Sequence, residues 1–421
     1  MASDRIADSA ACAAPGDERG RLGVPIGAGV ICALVGFTSS FAVVLAGLRG
    51  VGADPTQAAS GLLAVSVAMG SATVLLSWRY RMPITSAWST PGAALLATTG
   101  AAAGGWPAAI GAFLASGALL VLTGWWPRLA ELVQRIPASI AQAMLAGVLL
   151  PLCVEPLRGL ADNPAAVGPV LAVWVILLKL RPRWAVPGAF LVALAVIVAD
   201  LLRTGSAPSP GQFVPVLTLS APSWTLGALT GIAVPLYLVT MAAQNVPGVA
   251  VMSGLGYPVP WRPAMTVTGA GSVLAAPFGA HAINLAAISA ALAAGPDAGP
   301  DRSRRWIAGL AAGIAYVLLG VTSTGLVAVV LAAPPGVVQA VAGVALLGVF
   351  ASASAGAMSD ADDRLPAAVT FAVAASGIAV LGVGSAFWAL VAGVALRALV
   401  VSERRSEPRA EPRSPAPARS E

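Results

Sequence analysis

The 421-residue chain is 57% hydrophobic and only 10% charged, against roughly 25% charged in an average soluble domain. Apolar runs extend from near residue 22 to near residue 401, which leaves no room for a sizeable aqueous domain and reads as one polytopic membrane unit. The net charge of +6 is spread over many short loops rather than one face, a distribution that argues against nucleic-acid binding.

Residues 1–21 carry Asp4, Asp8, Asp17 and Glu18 and do not resemble a cleaved signal peptide, so they read as a cytoplasmic N-terminal arm. Charges, prolines and glycine-rich turns then punctuate fourteen spans, at roughly 22–46, 57–77, 83–100, 105–125, 137–156, 164–180, 185–202, 227–252, 264–276, 278–294, 306–330, 335–358, 366–381 and 383–401. This divides the chain into a first seven-span repeat over 22–202, an external linker over 203–226 and a second seven-span repeat over 227–401. Residues 402–421 are charged and proline-rich and are expected to form a disordered cytoplasmic tail. Cys12, Cys32 and Cys153 fit no metal-ligand spacing, and no metal or cofactor is expected.

Charge gives an independent check on the spans. With both termini on one side, 21 of the 24 Lys and Arg residues fall on that side, and only Arg49, Arg158 and Arg203 fall on the other. Basic loops stay in the cytoplasm, so both termini are expected there.

The stretch Ile84-Thr85-Ser86-Ala87-Trp88-Ser89-Thr90-Pro91-Gly92 interrupts the third span with hydroxyls, a proline and a glycine. Thr90 before Pro91 has the pattern of a helix start, a hydroxyl N-cap with proline at the first helical position. A helix that starts in mid-membrane leaves irregular backbone before it, which is tolerated only inside protein or beside a wet cavity. Ala276-Pro277-Phe278-Gly279-Ala280-His281-Ala282-Ile283-Asn284 offers a counterpart at the tenth span, seven later. Matching breaks at spans three and ten predict two inverted halves whose half-helices point their N-termini at one central site. Each such end carries roughly +0.5 charge, so the favoured guest is an anion.

A third polar cluster, Thr240 to Gly248, lies in the eighth span and holds Gln244 and Asn245 ahead of Pro247. Its inverted partner, the first span, carries Thr38, Ser39 and Ser40. Buried amides need hydrogen-bond partners, which either a substrate or a neighbouring helix can supply. His281 is the only histidine, and an ionisable group at that depth is a functional candidate for proton coupling. The structural alternative is a neutral ring bonded to a backbone carbonyl at a helix break. Trp88, Phe278 and Tyr237 could supply an aromatic wall.

The segments PITSAWSTPGAALLA (83–97), VPLYLVTMAAQNVPGVAVMSGLGY (234–257) and PFGAHAINLAAISAALAAGPDAGPDRSRRW (277–306) closely resemble the signatures of the BenE-type benzoate/proton symporters of bacteria. The resemblance covers nearly the whole chain apart from its two tails. It implies import of benzoate or a related aromatic carboxylate with protons across the bacterial inner membrane, by alternating access. It also implies the seven-plus-seven inverted repeat shared with uracil/xanthine permeases and SulP-type anion transporters, in which a core domain moves against a gate domain. The fold class expected is therefore an all-α polytopic membrane protein with discontinuous third and tenth spans. Uracil-type relatives present glutamates where this chain has Gln244 and Asn284, a departure that suits a carboxylate substrate. Ser39, Ser40, Trp88, Ser89, Thr90, Pro91, Gly92, Tyr237, Gln244, Asn245, Phe278, Gly279 and Asn284 form the expected substrate site, with His281 for the proton. Relatives of this fold often dimerise through the gate domain, so a homodimer is one expectation that the resemblance carries.

Two alternatives share the architecture: an uncoupled facilitator or channel, and a carrier of another small anion or a nucleobase. A membrane scaffold that binds an anion without moving it is a third. The chain offers no metal cluster, phosphate loop or nucleophile with its base, and is not expected to be an enzyme.

Overall fold

The computed structural model describes residues 15–100, 104–205, 209–287, 289–380 and 383–406. In chain order they form α1 (Pro15–Gly50), α2 (Pro55–Tyr80), β1 (Ser86–Trp88), α3 (Thr90–Thr99), α4 (Gly105–Trp125), α5 (Pro127–Gln134), α6 (Ala138–Asp162), α7 (Pro164–Leu180) and α8 (Ala185–Thr204). The second half forms α9 (Leu226–Gly254), α10 (Trp261–Ala275), β2 (Ile283–Leu285), α11 (Ala290–Ala294), α12 (Trp306–Leu331), α13 (Val337–Ala357), α14 (Arg364–Ala375) and α15 (Ser385–Ser406). Eight of these helices are long and apolar enough to cross a membrane, in α1, α2, α4, α6, α8, α9, α12 and α13, and three shorter apolar helices lie in α7, α14 and α15.

Three expectations change. The helix α1 already begins at Pro15, inside the segment read as an arm, and α15 runs on to Ser406, whereas the remainder of the expected tail lies outside the described residues, as does Cys12. The molecule is not purely α-helical, because β1 and β2 pair antiparallel in the register Ser86 to Leu285, Ala87 to Asn284 and Trp88 to Ile283. Pro277 does not open a helix. It sits in a 3-10 turn, Ala276–Phe278, that ends α10, after which Gly279 turns the chain at φ 95° into the extended segment. Only glycine fits there, since a Cβ would lie 2.9 Å from the Trp106 ring and 3.1 Å from the Gly61 Cα. The helix expected over 278–294 shrinks to the five residues of α11.

Local signals explain the other ends. Asp54 caps α2 by accepting from the Gln57 N–H at 2.8 Å while the Gln57 side chain accepts from the Asp54 N–H at 2.9 Å, a reciprocal capping box with Pro55 behind it. At the other end of α2, Arg81 takes the left-handed conformation at φ 51° and lays its guanidinium 4.0 Å from the Trp306 ring. Buried Arg305 donates to the carbonyls of Ala294 and Gly299, fixing the turn that follows α11.

The helices sort into two bundles. Helices α1 to α4 pack with α9 to α12, and α6 to α8 pack with α13 to α15. The first bundle is closed by two glycine crossings. Between α2 and α12, a Cβ on Gly70 would lie 2.6 Å from the Gly313 carbonyl, and one on Gly313 would lie 2.7 Å from the Gly70 carbonyl. Between α4 and α10, a Cβ on Gly269 would lie 2.5 Å from the Val121 nitrogen. Such close backbone approach is how membrane helices gain packing where the hydrophobic effect offers none. The second bundle is tied at one end by Asp363, which accepts from Ser139 of α6 at 2.7 Å and from Arg397 of α15 at 2.6 Å. Burial raises the Asp363 pKa, but the Ser139 hydrogen bond and the Arg397 charge outweigh it, so the carboxyl stays below its usual range. A seam of α1 against α8 and α13, and of α3 against α6, joins the two bundles.

The segment between α8 and α9 is strapped across the first bundle. The Thr218 N–H donates to Ser60 Oγ at 3.0 Å, the Ser220 N–H to the Pro277 carbonyl at 2.8 Å and the Ser223 N–H to the Pro107 carbonyl at 2.9 Å.

Gly70→Ala should lower the melting temperature in detergent by the equivalent of about 1–3 kcal/mol, because the α2/α12 crossing must open. Gly254→Ala, at a helical position where a Cβ meets nothing within 4 Å, should leave it unchanged or slightly raised. Equal melting temperatures for the two variants would show that the crossing does not hold the bundle together.

Candidate functional site

Extended backbone at this depth must satisfy its own polar groups, and the two strands do so with helix side chains. Thr73 of α2 accepts from the Ser86 N–H at 2.8 Å, Ser272 of α10 from the Ile283 N–H at 2.9 Å, and Asn245 of α9 from the Leu285 N–H at 2.9 Å. Ser77 donates to the Ile84 carbonyl at 3.0 Å, and the pairing continues beyond the strands through the Ser89 N–H to Ala282 O at 3.0 Å and the Ala286 N–H to Thr85 O at 2.9 Å. The outer edges of the sheet are therefore closed by Thr73, Ser77, Ser272 and Asn245 rather than by further strands.

The sheet places the start of α3. Its N-cap is Ser89, one residue before the expected Thr90, and Ser89 Oγ accepts from the Gly92 N–H at 3.2 Å while also bonding Thr240 of α9 at 2.8 Å. Ser89 O accepts from the Ala93 N–H at 2.7 Å and lies 3.3 Å from His281 Nε2. Every polar atom of Ser89 is thus engaged within the protein. Pro91 has no N–H, which leaves the Thr90 N–H as the free donor of this first turn among the described residues.

Beside that turn lies a cavity of about 240 Å³ on the seam between the two bundles. The first bundle supplies its hydroxyl and amide groups, from Ser39 and Ser40 of α1, Thr90, Gln244, Ser289 and Tyr316, together with Trp88 and apolar residues that include Val35, Met69 and Leu292. The second bundle supplies Val186 and Pro187 of α8, with Ala345, Gly348 and Val349 of α13. Thr90 Oγ1 donates to Ser40 Oγ at 3.0 Å, which links α3 to α1 on the first bundle's side. Trp88 begins a ladder of rings that continues through Phe37 at 5.2 Å and Phe41 at 5.5 Å to Phe190 of α8 at 5.8 Å, so it crosses the seam. The one charged residue on the cavity wall is Arg183, at its mouth, where it pairs with Asp297 at 2.6 Å.

Five expected residues therefore line the cavity: Ser39, Ser40, Trp88, Thr90 and Gln244. Ser89, Pro91 and Gly92 form the buried cap and first turn of α3 behind it. Asn245 holds β2 and donates to Met241 Sδ at 3.3 Å. Asn284 donates to the Leu285 carbonyl at 2.7 Å, and its Oδ1 is buried without a hydrogen-bond partner. Phe278 and Gly279 lie at the far end of the extended segment, where Ser60 donates to the Phe278 carbonyl at 2.8 Å. The Tyr237 hydroxyl is bonded to Thr123 of α4. His281 is fully buried, and its Nδ1 has no partner.

Two features are new relative to the sequence. The half-helix expected at the second break is only the five residues of α11, whose N-cap residue Ser289 lies on the cavity wall as the start of α3 does. Tyr316, Ser289 and Gly348 also enter the walls, and no local pattern marks them, because each sits in a run of small or apolar residues whose facing depends on tertiary packing.

A family model described as benzoate membrane transport protein matches residues 23–399. Inner membrane protein YdcO of Escherichia coli strain K12 is 38% identical over 369 residues, covering 87% of this chain and 93% of the relative. The benzoate membrane transport protein of Acinetobacter baylyi is 30% identical over 373 residues, covering 87% of this chain and 92% of the relative. Among solved structures, the transmembrane domain of a cyanobacterium bicarbonate transporter, BicA, superposes with a TM-score of 0.57 at 15% identity, covering 89% of this chain and 97% of that one. Murine solute carrier 26 family member A9, an anion transporter in the inward-facing state, gives 0.52 at 14% identity, covering 96% of this chain and 74% of that one. The structural likeness concerns the fold, and the sequence matches decide the family: the chain belongs to the benzoate membrane transport protein family.

Proposed function

We propose that this chain imports benzoate or a related aromatic carboxylate together with protons across the bacterial inner membrane by alternating access. The observation that carries this reading is the make-up of the cavity wall. Hydroxyls, an amide and the start of α3 gather on the first bundle, and aliphatic side chains from both bundles surround them. An aromatic carboxylate matches both kinds of surface. Its charge would meet the Thr90 N–H and the Ser40 and Gln244 side chains, and its ring would lie between Trp88 and the Val186 and Val349 side chains.

The first bundle acts as the core domain and the second as the gate in this reading, with fourteen crossings arranged as two inverted halves. The two glycine crossings support the arrangement, because exchanging the halves turns the α2/α12 pair into the α10/α4 pair. Basic loops put both termini in the cytoplasm, and the Arg183 mouth then makes the present cavity inward-facing.

His281 is proposed as the proton carrier. With Nε2 turned to the Ser89 carbonyl, its Nδ1 lone pair is free to take a proton, and Ser89 caps the helix that receives the anion. The coupling would run through the cap rather than by contact. One observation favours uncoupled passage as the second reading: His281 stands behind the cavity wall, and among the described residues no histidine or carboxylate lies on that wall.

Uptake of labelled benzoate into proteoliposomes distinguishes the two. Wild type should accumulate benzoate only with an inward proton gradient, and His281→Ala should equilibrate it without accumulation. Uptake that ignores the gradient, after subtraction of passive permeation by benzoic acid, would establish the facilitator.

The adjacent amides should also separate. Gln244→Ala is expected to raise the half-saturating benzoate concentration about fivefold, the loss of one hydrogen bond of about 1 kcal/mol, with an unchanged melting temperature. Asn245→Ala should instead destabilise the fold by about 1–3 kcal/mol by orphaning the Leu285 N–H. The reverse pattern in binding and melting assays would exchange their roles.

A further inference from the structure

A second cleft, of about 370 Å³, lies on the same seam as the central cavity but toward the opposite face. The same two helices line both. On α1, Ser39 and Ser40 face the central cavity, and Leu45, Ala46 and Arg49 face the cleft. On α13, Ala345, Gly348 and Val349 face the cavity, and Val338, Gln339 and Ala342 face the cleft. Along the same two helices Phe41, Val44, Val341 and Val344 are buried. Ser40 and Ala46 are six residues apart, about 9 Å of helix rise, so the partition is two turns thick at most.

The charges around the cleft differ in how they are engaged. Glu155 lines it and pairs with Arg158 at 2.7 Å. Asp54, near the end of α1, accepts from the Gln57 N–H at 2.8 Å. Asp200 pairs with Arg203 at 2.9 Å. Arg49 forms no ion pair among the described residues, although it is exposed and opens onto a cleft walled by Leu45, Leu152, Val330 and Val338. An unpaired guanidinium offers a planar fork for a carboxylate, the Gln339 amide adds a donor, and the aliphatic walls suit a ring.

We propose that Arg49 and Gln339 form an outer capture site for the substrate carboxylate, occupied before the partition between cleft and central cavity opens. This rests on the transport reading above, which makes the face of Arg49 the external one. Arg49 also stands at the negative end of α1, where a cation favours the helix whatever the substrate does. The two roles differ in sidedness, since only a capture site cares from which face the anion arrives.

The test is the half-saturating concentration for labelled benzoate, measured from each face in right-side-out and inside-out vesicles. R49Q should raise the external value about fivefold, leave the internal value and the maximal rate unchanged, and remove its dependence on ionic strength. R49K, which keeps the charge but loses the fork, should lie between R49Q and wild type. If R49Q does not fold, Q339A is read in the same way and should show a smaller rise confined to the external face. Equal shifts from both faces, or none, overturn the capture site while wild-type uptake stands. A wild type that takes up no benzoate overturns the transport reading and the capture site with it.

Discussion

Extended backbone in lipid is the constraint on which this molecule is built. Each unpaired N–H or carbonyl at that depth costs several kcal/mol, so a two-stranded sheet with open edges would not survive there. The chain closes those edges with Thr73, Ser77, Ser272 and Asn245, drawn from three helices of the first bundle. Those bonds fix where α2, α9 and α10 stand relative to the strands. The glycine crossings then carry that placement on to α12 and α4. What the sheet positions in return is the start of α3 and the Trp88 ring, and through them the polar groups of the cavity wall.

The sequence makes some of this legible and hides the rest for a physical reason. Composition and loop charge identify the membrane and the long helices, because the bilayer imposes length and polarity on each span separately. The polar break at residues 84–92 is equally legible, since hydroxyls, proline and glycine together cannot continue a helix in oil. What that break pairs with cannot be read locally. The partner of Ala87 is Asn284, almost 200 residues away, and no alternation of polar and apolar residues marks a three-residue strand that is buried on both faces. Proline punctuation also misleads at Pro277, where the same residue type that can open a helix closes one in a 3-10 turn, and the left-handed Gly279 that follows sends the chain into the strand.

The amides of α9 show how fine the remaining difference is. Gln244 and Asn245 are adjacent, and by sequence both are candidates for the substrate. The structure turns Gln244 to the cavity and Asn245 to the β2 backbone. They lie in a π-helical turn, Met241–Asn245, whose extra residue shifts the helical phase in mid-span. A regular period of 3.6 therefore cannot assign their faces, and the chemistry of the two side chains is nearly the same. The hydrogen-bond demand of the Leu285 N–H breaks the tie.

The seam follows from the same economy of packing. Within the first bundle the backbones touch through glycine, and within the second Asp363 ties α6 to α15 through Ser139 and Arg397. Between the bundles lie two cavities lined by the same pair of helices, α1 and α13, on which Phe41, Val44, Val341 and Val344 are buried. Phe41 of α1 meets Phe190 of α8 there by dispersion and shape, and the Arg183–Asp297 pair at the cavity mouth adds one exposed ion pair across the same plane. The ring ladder from Trp88 to Phe190 bridges the same plane and makes the same kind of contact. A plane held by such contacts and one exposed ion pair resists displacement less than the hydrogen-bonded and glycine-packed interiors on either side of it.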